Sequence, residues 1–311
     1  MRFARLKLTL LVMPVLLAAC ATPQPIQYKD VVEPQAVAIE PMQSDKPIIA
    51  LALGSGGSRG FAHIGVLKAL EANGIHIDIV VGTSAGSVVG ALYAAGYKSA
   101  EIEQIALDLD QDRLKDTDLS TRGYIRGEQL QDFINRELKN RSIEQLDIPF
   151  VAVATQLDTG YPVAFNRGNT GKAVRASSSI PGVYYPVRIG EHEYVDGDLK
   201  NPVPVSVARA MGADIVIAVD ISQQPKDQPY AQDIIDILKQ SLRIMRQSVL
   251  AHELDAAQIV IRPDLGRTPV INAESKLRLI KKGEDAATAM MPQIREWLKI
   301  ITDKKSPVTS R

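Results

Sequence analysis

Two apolar runs, each ended by a loop of small residues that opens a helical pattern, constrain this chain more than any other feature. The first is 48–53 (IIALAL), followed by GSGGSRG at 54–60; the second is 75–81, followed by GTSAG at 82–86. Short apolar runs bounded in this way are strands covered on both faces, and such strands belong to parallel sheets flanked by helices. Phe61, Ile64, Leu67 and Leu70 then recur at helical spacing, with Asn73-Gly74 as a stop, and 85–95 forms a second helix closed by Gly96. Strand, loop and helix in repetition predict an α/β fold with a parallel sheet.

Further strands are predicted at 149–155, 213–219 and 258–261, with a turn at 157–160 leading into 163–165 and a short strand ending at Asp196. Helices are predicted at 127–138, 172–178, 205–211, 233–256 and 275–301, the last with Pro292 as a point to bend. Charge is high over 99–147, where Leu130, Phe133, Ile134 and Leu138 make one apolar face of a surface helix. At 311 residues and 45% apolar content the chain suits one large α/β core, and its formal net charge of +0 gives no electrostatic basis for a nucleic-acid partner.

The N-terminus reads MRFARLK and then an apolar stretch over 8–19. That is shorter than the ~20 residues a membrane span needs, so 1–19 is predicted to be a signal peptide. Cys20, the sole cysteine, ends LLAAC, which leaves no intrachain disulfide and no multi-cysteine metal site. Leu17-Ala18-Ala19-Cys20 resembles the bacterial lipobox. That resemblance implies lipidation of Cys20 and a membrane anchor, and Ala21 in place of Asp favours the outer membrane, facing the periplasm. Residues 21–46 hold four prolines, no glycine and no sustained period, as expected of a tether from Cys20 to a globular domain at 47–301; 302–311 is a polar tail.

Gly82-Thr83-Ser84-Ala85-Gly86 fits G-x-S-x-G between an apolar strand and a helix. A tight turn there exposes the serine and demands small residues two positions either side, which Gly82 and Gly86 supply. Taken alone, Ser84 is equally an N-cap of the helix. The loop at 54–60 departs from dinucleotide-binding spacing, because Arg59 stands where the last glycine belongs and Asp78 sits mid-strand rather than at a strand end. Its other use is as an oxyanion hole, with Gly56 and Gly57 as N–H donors, Ala85 N–H as a further one, and Arg59 holding the loop or adding positive potential.

The proton acceptor is less direct. His63 falls in a helix, His76 in a strand and His192 in a turn beside Glu191 and Glu193. Ser84, Asp196 and His252 follow the order of an α/β-hydrolase triad, but His252 sits inside a long helical pattern. Asp196 is the alternative, a carboxylate before a glycine turn that burial would make a better base.

GSGGSRG, GTSAG, ASSSIPGVYYPV (176–187) and Asp196-Gly197-Asp198, in this order, resemble the patatin-like phospholipases of bacterial lipoprotein type over about 47–301. The resemblance implies a three-layer α/β/α fold with a mostly parallel central sheet. It also implies a Ser84–Asp196 dyad cleaving lipid acyl esters, with Gly56, Gly57 and Arg59 in the oxyanion loop and neither metal nor cofactor. Two positions depart from the family pattern: Ser55, commonly glycine, and Asp198, more often glycine or alanine. These departures keep a membrane-tethered lipid-binding module without turnover as a rival.

Overall fold

The computed structural model describes residues 32–227, 233–267 and 271–306. Segment 1–19, the candidate lipidation site Cys20, the tether as far as residue 31, and 307–311 lie outside the described residues. The elements run β1 (Ile49–Leu53), α1 (Phe61–Ala72), β2 (Ile79–Thr83), α2 (Ala85–Ala94), α3 (Ser99–Asp108), β3 (Thr117–Ser120), β4 (Gly123–Ile125), α4 (Glu128–Glu137) and β5 (Phe150–Gln156). They continue through β6 (Pro162–Phe165), α5 (Thr170–Ser177), β7 (Val187–Ile189), β8 (His192–Asp196), α6 (Val205–Ala210), β9 (Ile215–Val219), α7 (Ile234–Asp255), β10 (Ile259–Ile261) and α8 (Ala273–Lys305).

Strands β10, β9, β1, β2 and β5 lie side by side and parallel. Strand β5 then pairs antiparallel with β6 and β8, and β8 with β7. The apolar run of β1 alternates between two cores: Leu51 and Leu53 pack with α1, α2 and α8, while Ala50 and Ala52 pack with Val205 and Ala208 of α6 and Leu250 of α7. Helices thus cover both faces of a mostly parallel sheet, a three-layer α/β/α arrangement.

Several boundaries differ from expectation. Strand β2 begins at Ile79, not 75, because its partner β1 begins at Ile49. Asp78 closes the entrance, its N–H donating to Ile49 O at 2.9 Å and its carboxylate accepting from Ile49 N at 2.8 Å. Asp78 is therefore at the strand's mouth rather than mid-strand, and exposed His76 precedes the ladder. The charged stretch 99–147 holds α3 and the β3–β4 hairpin, neither of which was expected. Residues 32–46 are not a free tether: Asn169 N donates to Val32 O at 2.7 Å, Gln35 bridges Arg167, and Met42 N donates to Met211 O at 2.8 Å. Extended backbone without periodicity still needs partners for its polar groups, and here the domain's own loops supply them. Helix α8 continues past Pro292 to Lys305, so the start of the predicted tail is helical. Among the described residues, no helix is long and apolar enough to cross a membrane.

Candidate active site

The site lies where two strands meet end to end along one edge of β5. Strand β2 pairs with the first part of β5 and stops at Thr83 opposite Val153; β8 takes up the next position, with Asp196 opposite Ala154. Strand β6 occupies the other edge over the same residues. The last residue of β8 is therefore delivered beside the turn that leaves β2.

That turn is a strained crest. Ser84 has φ 54° and ψ −123°, a region costly for a residue with a Cβ. A Cβ on Gly82 would stand 2.5 Å from Gly86 O, and one on Gly86 would stand 2.1 Å from Leu53 O, so the turn closes only with glycine at both positions. Ser84 occupies the N-cap position of α2 without capping it. Its Oγ instead donates to Asp196 Oδ2 at 2.7 Å, with Ser84 4% and Asp196 2% exposed.

Neighbouring side chains hold the crest. Ser177 Oγ donates to Val153 O at 2.6 Å and accepts from Ser84 N at 2.9 Å, while Asp196 N donates to Ser179 O at 2.9 Å. The serines of ASSSIPGVYYPV thus join the Ser84 turn to strand β8. Thr83 Oγ1 donates to Asn201 O at 2.8 Å, fixing the loop that follows the acid. Asp196 Oδ1 accepts from Asp198 N at 2.8 Å, which leaves Oδ2 aimed at Ser84. Burial, reinforced by the charge of Asp198, pushes the Asp196 carboxyl up to about 7, against the hydrogen bonds from Ser84 and Asp198 N and the nearby Arg246 cation.

The glycine loop follows β1 on the same side. Gly57 has φ +56° and opens a single 3-10 turn, Gly57–Gly60, so its N–H has no partner within the turn. His63 fastens the loop from beneath: fully buried, it places Nε2 2.8 Å from Gly54 O, and burial lowers its pKa to about 4. The imidazole is therefore neutral with Nε2 as donor, a structural histidine. Arg59 is 4% exposed, with buried Nε and Nη1 atoms unpartnered, and burial lowers its pKa. It lines the cleft containing Ser84 and Asp196.

The family model for patatin-like phospholipases matches residues 51–209, just over half of the chain, from within β1 into α6. The chain belongs to the patatin-like phospholipase family. An uncharacterized NTE family protein of Mycobacterium bovis is 41% identical over 192 residues, covering 61% of this chain and 53% of that protein. The human patatin-like phospholipase domain-containing protein 6 is 35% identical over 184 residues, covering 57% of this chain and 13% of its own length. The chain thus spans about half, or much less, of the length of these curated relatives. In fold it is similar to VipD from Legionella pneumophila, with a TM-score of 0.54 at 14% identity, covering 86% of this chain and 71% of that one.

Within this patatin-like domain, the two departures from the family pattern touch each other. Ser55 Oγ donates to Asp198 Oδ1, and Arg246 of α7 reaches both: its Nε forms an ion pair with Asp198 Oδ1 at 2.8 Å, and its Nη2 donates to Ser55 Oγ at 2.7 Å. The extra carboxylate is thus matched by a cation and a hydroxyl, and the glycine loop is tied to the acid turn. Nothing in the local sequence marks Arg246, which lies 191 positions from Ser55. His252, the imidazole of the rival triad, is exposed on α7 and is not brought to Ser84. Its neighbour Glu253 is the buried one, accepting from Asn201 Nδ2 and Ser206 N, each at 3.0 Å.

Two clefts of different character meet at Ser84 and Gly57. One is apolar, lined by Phe61, Val88, Leu92, Ile105, Leu130 and Phe133 from α1, α2, α3 and α4. The predicted surface helix α4 therefore also walls a cleft with its apolar face. The other cleft, between the acid turn and α7, carries Arg59, Lys200, Arg243 and Arg246 beside Asp196 and Asp198, so its cations outnumber its carboxylates. Lys276 braces the apolar cleft from α8, its buried ammonium donating to Ala106 O and Leu109 O, each at 2.9 Å, at the end of α3. Among the described residues no group of three or more His, Cys, Asp or Glu is arranged to hold a metal ion.

Proposed function

We propose that the protein is a serine acyl hydrolase that cleaves fatty acyl esters of phospholipids through a Ser84–Asp196 dyad. The observation that carries this is the 2.7 Å contact from Ser84 Oγ to Asp196 Oδ2 at the junction of an apolar and a basic cleft. As Oγ attacks the ester carbon, its proton passes to Asp196 and the carbonyl oxygen becomes an oxyanion facing the N–H groups of Gly56 and Gly57. Collapse expels the lyso-lipid alkoxide, which takes the proton from Asp196 and leaves an acyl-Ser84. Water then attacks the acyl carbon, giving a proton to Asp196, and release of the fatty acid returns that proton to Oγ. A base held near 7 suits this exchange at neutral pH. The apolar cleft fits the acyl chain, and the cationic one an anionic headgroup.

Fluorophosphonate labelling and lipid profiling test this. Wild type is expected to label and to release fatty acid from phospholipid vesicles, and Ser84→Ala to do neither. Labelling and turnover that persist in Ser84→Ala refute the dyad.

The lipobox-like LAAC and Ala21 support anchoring through acylated Cys20 at the outer membrane. Metabolic palmitate labelling of wild type and its absence in Cys20→Ser is the expected outcome.

A further inference from the structure

Over its first three turns, the described side chains of α7 are polar where they meet the protein and apolar where they face out, whereas its second half turns Leu250 to the core. Ile234, Ile237, Leu238, Leu242, Ile244 and Met245 are each between 51% and 73% exposed. At about 100° per residue they share one side of the first three turns. The opposite side holds Gln240, whose Nε2 donates to Pro225 O at 3.0 Å, Gln247, which donates to Gln224 Oε1 at 3.3 Å, and Arg246 on Ser55 and Asp198. A surface helix normally turns its apolar side to the core, and a contiguous apolar patch on the outside marks a binding surface. This helix lies beyond the stretch matched by the family model, which ends at residue 209.

Its surroundings identify the occupant. Leu242 and Met245 are at once on the exposed face and in the lining of the cleft that contains Ser84 and Asp196, so the apolar surface runs into the site. Across the mouth stand Ile180 and Leu199, each 39% exposed. Lys200 and Arg243 line the same cleft and place cations beside these apolar side chains. Apolar side chains flanked by basic ones at the entrance to a cleft are the composition of an interfacial helix.

We propose that the outward face of α7 docks on the surface of a lipid bilayer, seating the mouth of the Ser84 cleft against the headgroups. This deepens the hydrolase assignment and rests on it for its purpose, but binding itself needs no turnover. The contact of Arg246 with Asp198 and Ser55 then joins the docking helix directly to the acid turn and the glycine loop.

The test uses the full chain carrying Cys20→Ser and Leu238→Cys, labelled at 238 with an environment-sensitive fluorophore. A control carries the label at Glu296→Cys, an exposed position on α8. On titration with phosphatidylglycerol–phosphatidylethanolamine vesicles, the label at 238 is expected to shift to the blue and be quenched by lipids brominated in the acyl chains, and the label at 296 to do neither. The shift should persist when Ser84→Ala is added, so failure of the hydrolase assignment and failure of docking are distinguishable. In the unlabelled protein, Ile237→Ser/Leu238→Ser/Ile244→Ser should lower turnover of vesicle lipid about tenfold while sparing a soluble short-chain ester. No shift at 238, or an equal shift at 296, overturns the proposal. So does a label at 238 already shielded before lipid is added: concentration dependence would then assign the face to a second copy, and independence to another segment of the same chain.

Discussion

Arg246 Nε lies 2.8 Å from Asp198 Oδ1, so the second carboxylate of the acid turn is balanced by a helix far along the chain. Asp198 pushes the Asp196 carboxyl upward and Arg246 pulls it down, with burial the largest influence of all. In the proposed dyad Asp196 must be ionised to accept the Ser84 proton, so kcat/KM should rise with pH and level off above about 7. Asp198→Asn leaves Arg246 facing Asp196 alone, and should move the midpoint down by about one unit. Arg246→Met should move it up. Shifts of opposite sign in the two pH profiles are the signature; shifts of the same sign would mean that the variants act by disturbing the loop.

Asp196 should also carry a stability cost. Its carboxyl titrates near 3.8 when unfolded and near 7 in the fold, so between those values the folded protein binds the extra proton. Stability contributed at this site therefore falls as pH rises through that window and stays low above it. Asp196→Asn, expected to be inactive on the proposed dyad, should melt at a higher temperature than wild type, with the full difference above pH 7 and little left near pH 4. Thermal melts across that range measure it.

His63 predicts the opposite slope. Its folded value is about 4 against an ordinary 6.5, so the unfolded chain takes up the proton first and stability is lost as pH falls from 6.5 towards 4. His63→Gln keeps a donor for Gly54 O without the titration, and its urea midpoint should vary less across that range.

Gly86→Ala puts a methyl group 2.1 Å from Leu53 O, a backbone atom of a central strand that cannot yield. The expected loss is about 1–3 kcal/mol or somewhat more, together with fluorophosphonate labelling of Ser84. Chemical denaturation and gel-based labelling report the two separately.

Chain-length preference should follow the apolar cleft. Val88 lines it on α2, and Val88→Trp fills it. Hydrolysis of long-chain esters should fall about tenfold or more while a butyryl ester is spared, since each methylene refused by a pocket is worth ~1–3 kcal/mol. Equal loss for both esters would place the acyl chain elsewhere.

The strand–loop–helix units are legible in the sequence because β1 and β9 are buried on both faces and read as unbroken apolar runs. Their ends are less so: Ile75 and Ile77 are as buried as strand residues, yet precede the ladder because β1 has no residue to offer them. Helix α3 hides because its apolar side is narrow, with Ile102 buried and Ile105 half-buried among charges. Ser84 is legible from its glycines, which the crowding at Gly82 and Gly86 explains. Asp196 is legible as a candidate from its place before a glycine turn, but its pairing with Ser84 comes only through motif resemblance, because their meeting across 112 positions depends on how β8 enters the sheet. The Arg246 contact and the outward apolar side of the first turns of α7 were out of reach, since periodicity identifies a helix without saying which side faces the protein.

The end-to-end meeting of β2 and β8 along β5 makes reactivity a witness to assembly. Sliding β8 by a single residue would turn the Asp196 side chain through to the other face of the sheet and present a neighbour to Ser84 instead. With the proposed dyad, a misthreaded molecule would be silent, and the fraction that turns over would count those in which β8 joined β5 in step.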